Sequence, residues 1–350
     1  MLPIAVIENK LEQLLLTGGE KRLNQYRDEL RDIANELGMT DEFSKINNII
    51  SALLSTHDAK VLSTDSAKAR AAGNPFDANR VELFEILFDT IKDRYFVIRN
   101  NRNTDEDSFR LFSFFESYFS NYIEGTEFDI EEAKEIVDSG IPMPRRDEDS
   151  HDILGTFKIL SNRTEMRRVP TSPEELFAIL SHRHTILLEG RPHMNPGVFK
   201  MRNNRAGQTE FVDYQLVKGT LSQGFKYYSA LTDPFARAIF MMFMISEVHP
   251  FNDGNGRIAR VMMNAEFVRA DQSRIIVPTV FREDYILALR KLTRHKDTMA
   301  YINVMTKLHQ FSDNLYGTDF TELKNYLAAC NAYEEPSQAK LQIIDRSIRH

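Results

Sequence analysis

Along most of this chain apolar residues recur every three or four positions, the spacing of an α-helix with one buried face. Read this way, helices are expected at about 5–16, 20–37, 42–56, 80–95, 108–124, 129–138, 154–162, 172–182, 214–230, 233–249, 256–270, 283–294 and 298–311. Polar stretches at 57–79, 99–107 and 140–152 read as connections. The run from Phe235 to Val248 is apolar on nearly every face, which marks a helix at the centre of a domain. Asp233-Pro234 supplies its cap and first position, and Pro250 disfavours helical geometry at His249, so the helix should stop there. A second helix, Ile258 to Arg269, offers Ile258, Val261, Met262, Ala265 and Val268 to the core. A tight loop joins the two.

One segment breaks the helical pattern. Pro196-Gly197 introduces Val198-Phe199-Lys200-Met201, a polar turn follows from Arg202 to Gln208, and Thr209-Glu210-Phe211-Val212 closes it. Two short runs around a Gly-containing turn predict a β-hairpin over 196–213. The expected class is therefore mainly α with one short hairpin.

Composition narrows the class only a little. With 42% apolar and 27% charged residues over 350 positions, the chain suits a globular protein. A net charge of −7 argues against nucleic-acid binding through a general basic surface. The lone Cys330 rules out an internal disulfide framework and fits a reducing compartment. No apolar run reaches the length of a bilayer span, and the N-terminus has no signal-peptide pattern, so a cytoplasmic protein without a membrane partner is expected.

The loop 249–260, His-Pro-Phe-Asn-Asp-Gly-Asn-Gly-Arg-Ile-Ala-Arg, concentrates chemistry that no folding requirement explains. Its glycines precede a helix N-terminus, where converging amides and the helix dipole favour phosphate. Arg257 and Arg260, three residues apart, offer planar forks suited to phosphate oxygens. Asp253 supplies the hard oxygen that Mg²⁺ prefers, and His249 accepts a proton near neutral pH. The pattern Gly254-x-Gly256-x-x-Ala259 resembles a dinucleotide fingerprint, but that motif follows a strand and this one follows a long helix.

Every fixed position of this loop matches the signature of the Fic family, His-Pro-Phe-x-Asp/Glu-Gly-Asn-Gly/Lys-Arg-x-x-Arg, and the chain resembles that family over roughly 108–310. The resemblance implies a Fic/fido helical core at 108–310, preceded by an N-terminal helical region at 1–107 and followed by a helical tail at 311–350. It implies transfer of AMP from ATP to a Ser, Thr or Tyr hydroxyl of a protein target, with release of pyrophosphate. His249 would deprotonate the hydroxyl and Asp253 would hold Mg²⁺ on the α- and β-phosphates. Gly254, Asn255 and Gly256 would cradle the phosphates, and Arg257 and Arg260 would grip the β- and γ-phosphates. Phe251 would anchor the loop. The hairpin would act as a flap that holds the target by strand addition. Gly256, where kinases of the Doc branch carry Lys, disfavours phosphorylation. Tyr285 lies where such proteins often place a tyrosine against the base, and a core role suits it equally well.

Ser120-Asn121-Tyr122-Ile123-Glu124-Gly125 resembles the family's inhibitory motif. It ends an apolar helical face, the inhibitory helix spanning 112–125, with Ser120 and Glu124 one turn apart and Gly125 as the stop. In the family the Glu of such a helix faces the second signature arginine, here Arg260, and denies it the γ-phosphate. Glu124 positioning a water for AMP removal is the alternative, and a catalytically silent helical interaction module is a second. Self-modification and a homodimer stay open. The pair His182 and His184 suits a strand more than a helical metal site, and Arg163, Arg167 and Arg168 read as a solvated patch.

Overall fold

The computed structural model describes residues 2–346, and these form two compact units. Within the described residues the first comprises 2–78 and 215–220, and the second 79–214 and 221–346.

In the first unit, α1 (Ile4–Leu37), α2 (Thr40–Leu53) and α3 (Asp65–Ala71) pack around Leu11, Leu23, Ile49, Ile50, Leu53 and Leu62. Gly19, at φ 66°, interrupts α1 and divides it near the expected break between 16 and 20. The stretch 57–79, expected to be a connection, contains α3. Thr64 caps that helix by accepting from Ala67 N, and buried Glu8 takes the amides of Ser63 and Thr64. A charged residue on α1 thus stabilises a short helix whose own sequence has weak periodicity.

The second unit holds α4 (Ala78–Ile91), α5 (Glu106–Ile123), α6 (Ile130–Ser139), α7 (Asp147–Leu160), α8 (Arg163–Met166) and α9 (Pro173–Leu187). A hairpin of β1 (Arg205–Ala206) and β2 (Thr209–Glu210) follows, then α10 (Val217–Ala230, in this unit from Leu221 on), α11 (Pro234–Val248) and α12 (Asn255–Arg269). The chain continues through α13 (Arg282–His295), α14 (Thr298–Ser312) and α15 (Phe320–Ala329). No described helix is long and apolar enough to cross a membrane.

The centre of the second unit is α11 packed on α12. From Ala238 to Ile245 every residue of α11 is fully buried, as its all-round apolar sequence requires. Asp233 caps it through Ala236 N, Pro234 is its first residue, and it ends at His249 in the left-handed conformation. Beneath α12 lies a buried polar layer in which Glu116 takes hydrogen bonds from Arg274 and Asn264. With every partner satisfied, such a layer fixes how α5 and α12 meet.

Two expectations need correction. The connection 140–152 ends early, because α7 begins at Asp147, with Asp147, Glu148 and Asp149 in a first turn where the helix dipole favours them. The hairpin is shorter and later than the runs 198–201 and 209–212 suggest, turning at Gly207 with φ 58°. Phe199 and Lys200 do not pair as a strand because the loop after α11 claims them. Phe199 packs on Phe251, and Lys200 N donates to Pro250 O at 2.8 Å.

Candidate active site

The loop between α11 and α12 opens into a cavity of about 400 Å³ lined by His249, Asp253, Gly254, Asn255, Gly256 and Arg260. Glu124 and Ile123 from the end of α5, the hairpin and Tyr285 on α13 complete its walls.

The loop keeps its shape through side chains that satisfy its backbone. Asn255 accepts from Phe251 N and donates to Phe251 O, both at 2.9 Å, so its amide closes the loop on itself. Aspartate could not do both, since it has no donor. Gly254 sits at φ 71°, and Leu187 Cδ2 would lie 2.8 Å from a Cβ there. His184, on α9, accepts at Nδ1 from Gly197 N and so donates from Nε2 to Asp253 O, at 2.8 and 3.0 Å. Its ring lies parallel to Phe251 with centroids 3.7 Å apart, and burial holds its pKa down at about 4. The segment 182–184 is therefore helical, not strand-like, and His184 is a loop support that periodicity alone did not distinguish from a core residue.

His249 is oriented from both sides. Its Nδ1 lies 2.9 Å from Ser246 O, an atom that only accepts, so Nδ1 carries the proton and Nε2 the lone pair. Phe211, just after the hairpin, stacks flat on the imidazole, with centroids 3.4 Å apart and planes 2° from parallel. Burial lowers the His249 pKa to about 4, and the nearby Lys200 charge acts in the same direction. The imidazole is accordingly neutral at pH 7.

The two arginines separate. Arg260 lines the cavity, donating from Nε to Ser120 Oγ at 2.9 Å and from Nη2 to Ser120 O at 2.8 Å and Glu124 Oε1 at 2.7 Å. Arg257 does not line the cavity, although the resemblance implies that both forks grip phosphate. It pairs with Asp152 on α7 at 2.8 Å and reaches Asn121 Oδ1 at 3.4 Å. Residues three apart on a helix diverge by about 60° around the axis, and that angle suffices to turn Arg257 toward α7. Asp152 holds Arg191 as well, at 2.7 Å. No sequence motif signals Asp152, because its partners are 39 and 105 positions away.

Glu124 is the C-cap of α5, followed by Gly125 at φ 94°. A Cβ at position 256 would fall 2.2 Å from Glu124 Oε1, so glycine there is what leaves room for the carboxylate. Tyr285 is buried and borders the cavity beside Arg260. Asp253 is part-exposed, with Oδ1 accepting from Gly254 N at 2.7 Å and Oδ2 3.8 Å from Arg257. Among the described residues, no group of three or more His, Cys, Asp or Glu could hold a metal ion.

Residues 171–266, a span that includes α11, the loop and most of α12, match the model of the Fic/DOC family. A stretch of 115 residues is 30% identical to "Protein adenylyltransferase fic-1" of Caenorhabditis elegans, covering 32% of this chain and 22% of that protein. A longer stretch of 214 residues is 24% identical to "Protein adenylyltransferase Fic" of Nematostella vectensis, covering 57% of this chain and 47% of that one. In both cases the chain spans less than half of the relative's length. In fold it is similar to a Fic domain containing signaling protein from Bacteroides thetaiotaomicron, with TM-score 0.50 and 16% identity, over 67% of this chain and 94% of that one.

Proposed function

We propose that this protein is a protein adenylyltransferase, moving AMP from ATP to a hydroxyl of a protein target, and that Glu124 restrains it. One observation carries the reading: a neutral imidazole with its tautomer set shares a cavity with a helix N-terminus, a carboxylate and an arginine fork. His249 Nε2 accepts the hydroxyl proton as the oxygen attacks the α-phosphorus, and pyrophosphate leaves. A base so placed contributes roughly 10² to 10⁴-fold. The amides of the loop and of the first turn of α12 stabilise the charge that develops on the phosphate. Arg260 is the fork that borders the cavity and would meet the terminal phosphates, while Arg257 holds α12 against α7. The names of the two relatives favour the same chemistry.

Mg²⁺ suits this site as an ion shared with the nucleotide. A single part-exposed carboxylate, Asp253, matches an ion that takes most of its ligands from phosphates and water. When bound, it would neutralise phosphate charge.

Restraint follows from the occupancy of Arg260, whose Nε and Nη2 already meet Ser120 and Glu124. Incubation with ATP labelled on the α-phosphate and a cell extract tests the whole reading. Glu124→Gly should label itself or extract proteins well above wild type, and Arg260→Ala added to it should cancel the gain, because both act on one phosphate site. Equal labelling by wild type and Glu124→Gly would remove the restraint. Loss of the ability to strip AMP from pre-labelled protein would instead assign Glu124 to hydrolysis, a role that its part-exposed carboxylate in the cavity allows.

A further inference from the structure

The backbone at His249 is strained. It sits at φ 50°, in the left-handed region that non-glycine residues rarely adopt. Such a conformation persists only where the surroundings over-determine it. The residues that do so come from the stem of the hairpin and bond to the chain on either side of His249.

Lys200 donates from its backbone N to Pro250 O at 2.8 Å and from Nζ to Val248 O at 3.4 Å. It thereby ties down the carbonyls on both sides of His249. Its Nζ also donates to Asn204 Oδ1 at 2.7 Å, and Asn204 Nδ2 donates to Phe251 O at 2.9 Å. The carbonyl of Asn204 accepts from Phe211 N at 3.4 Å, and the Phe211 ring lies on the His249 imidazole. The circuit closes on itself around the base. Lys200 is only 3% exposed, so an ammonium has been withdrawn from water to make these contacts. A buried lysine is costly unless its donors are used, and an aliphatic residue would fill the same space without that cost.

Resting on the reading of His249 as the base, we infer that Lys200 and Asn204 are positioning residues that hold His249 in register with the flap. The hairpin that would receive the target and the imidazole that would deprotonate it then move as one piece. Lys200 also acts electrostatically. Its charge disfavours a proton on His249, whereas Glu124 and Asp253 favour one. Lys200 in turn feels Asp213, which stabilises its charge, and Arg80, which opposes it, and burial brings its pKa down to about 8.

The test uses the full chain with histidine ¹⁵N labelling, so that the tautomer and titration of His249 are read by NMR without reference to activity. Labelling of a cell extract as a function of α-labelled ATP, in the Glu124→Gly background, gives the maximum rate and the KM for ATP. Lys200→Met should raise the His249 midpoint above about 4 by removing a nearby positive charge, with burial, the larger cause, still holding it below the ordinary 6.5, and weaken the preference for the Nδ1 proton. It should lower the maximum rate roughly 10- to 100-fold while the KM for ATP stays within about twofold. Lys200→Arg should recover part of the rate. Asn204→Ala should act in the same direction, and it decides the question if circular dichroism shows Lys200→Met unfolded.

An unmoved His249 titration and tautomer in both variants overturns the inference, even if the rate falls. A parallel loss of ATP affinity and rate with His249 unchanged would mark a merely structural role and also overturns it. If no variant and no wild-type protein transfers AMP, the adenylyltransferase reading fails, and the NMR titration alone judges the positioning role.

Discussion

His249, Asn255 and Arg260 show how much a single side chain can decide in this loop. On the proposed reading the imidazole would act on the target and not on the nucleotide, so His249→Ala should abolish label transfer and leave calorimetric ATP affinity within a few-fold of wild type. Transfer at the wild-type rate would remove His249 from the mechanism. Asn255 works through its backbone contacts, satisfying Phe251 in both directions. Asn255→Asp keeps the acceptor and loses the donor, leaving the Phe251 carbonyl to Asn204 alone and setting a buried carboxylate oxygen against it. The expected destabilisation is about 1–3 kcal/mol, read as a lower denaturant midpoint at unchanged slope. A midpoint equal to that of wild type would show that the loop does not depend on this clasp.

At the scale of elements, the end of α5, the first half of α7 and the hairpin stem converge on α12 and the loop before it. Asp152 is the joint on the α7 side, 3% exposed at its side chain and shared between Arg257 and Arg191. Removing one partner of a buried pair strands the other charge, at about 3–5 kcal/mol. Asp152→Ala should therefore lower stability by that order and, on the proposed reading, weaken ATP binding, since the first-turn amides of α12 are the groups proposed to meet phosphate. A variant as stable as wild type to urea would show that α7 does not brace α12 through this ion pair.

For the molecule as a whole, pH sets stability through groups that folding buries uncharged. His184, His249 and His309 are each held down at about 4 by burial. Unfolded, they titrate near 6.5, so between about 6.5 and 4 the unfolded chain binds more protons and stability falls as pH falls. Glu116 opposes this, because burial raises it to about 7 and the folded state there holds the extra proton as pH drops. Glu266, also raised by burial, works in the same sense as Glu116. Three histidines against two carboxyls leave a net loss, and the urea midpoint should be lower at pH 5 than at pH 7. His309 lies away from the cavity, with its Nε2 2.9 Å from Ser273 O. His309→Gln should thus flatten the pH dependence without changing transfer, and an unchanged slope would exclude His309 as a contributor.

The sequence by itself determined the central helix pair, the cap of its first helix and the placing of the polar and charged side chains in the loop between them. These are local properties: Asp233-Pro234 starts a helix, Pro250 ends one, and an all-apolar stretch has to be buried. The pairing of Ser120 and Glu124 was legible too, because one helical turn separates them and Gly125 ends the helix. The resemblance also named Arg260 as the partner of Glu124, and the two do pair. Only the tertiary structure decided what the other residues face: it turned Arg257 to Asp152, although both arginines occupy the same turn of α12. It placed His184 under the loop and drew Lys200 out of the expected strand to hold the carbonyls beside His249. Such contacts join residues tens of positions apart. Periodicity records which face of an element is apolar, and it carries no record of which distant donor or acceptor that face will meet.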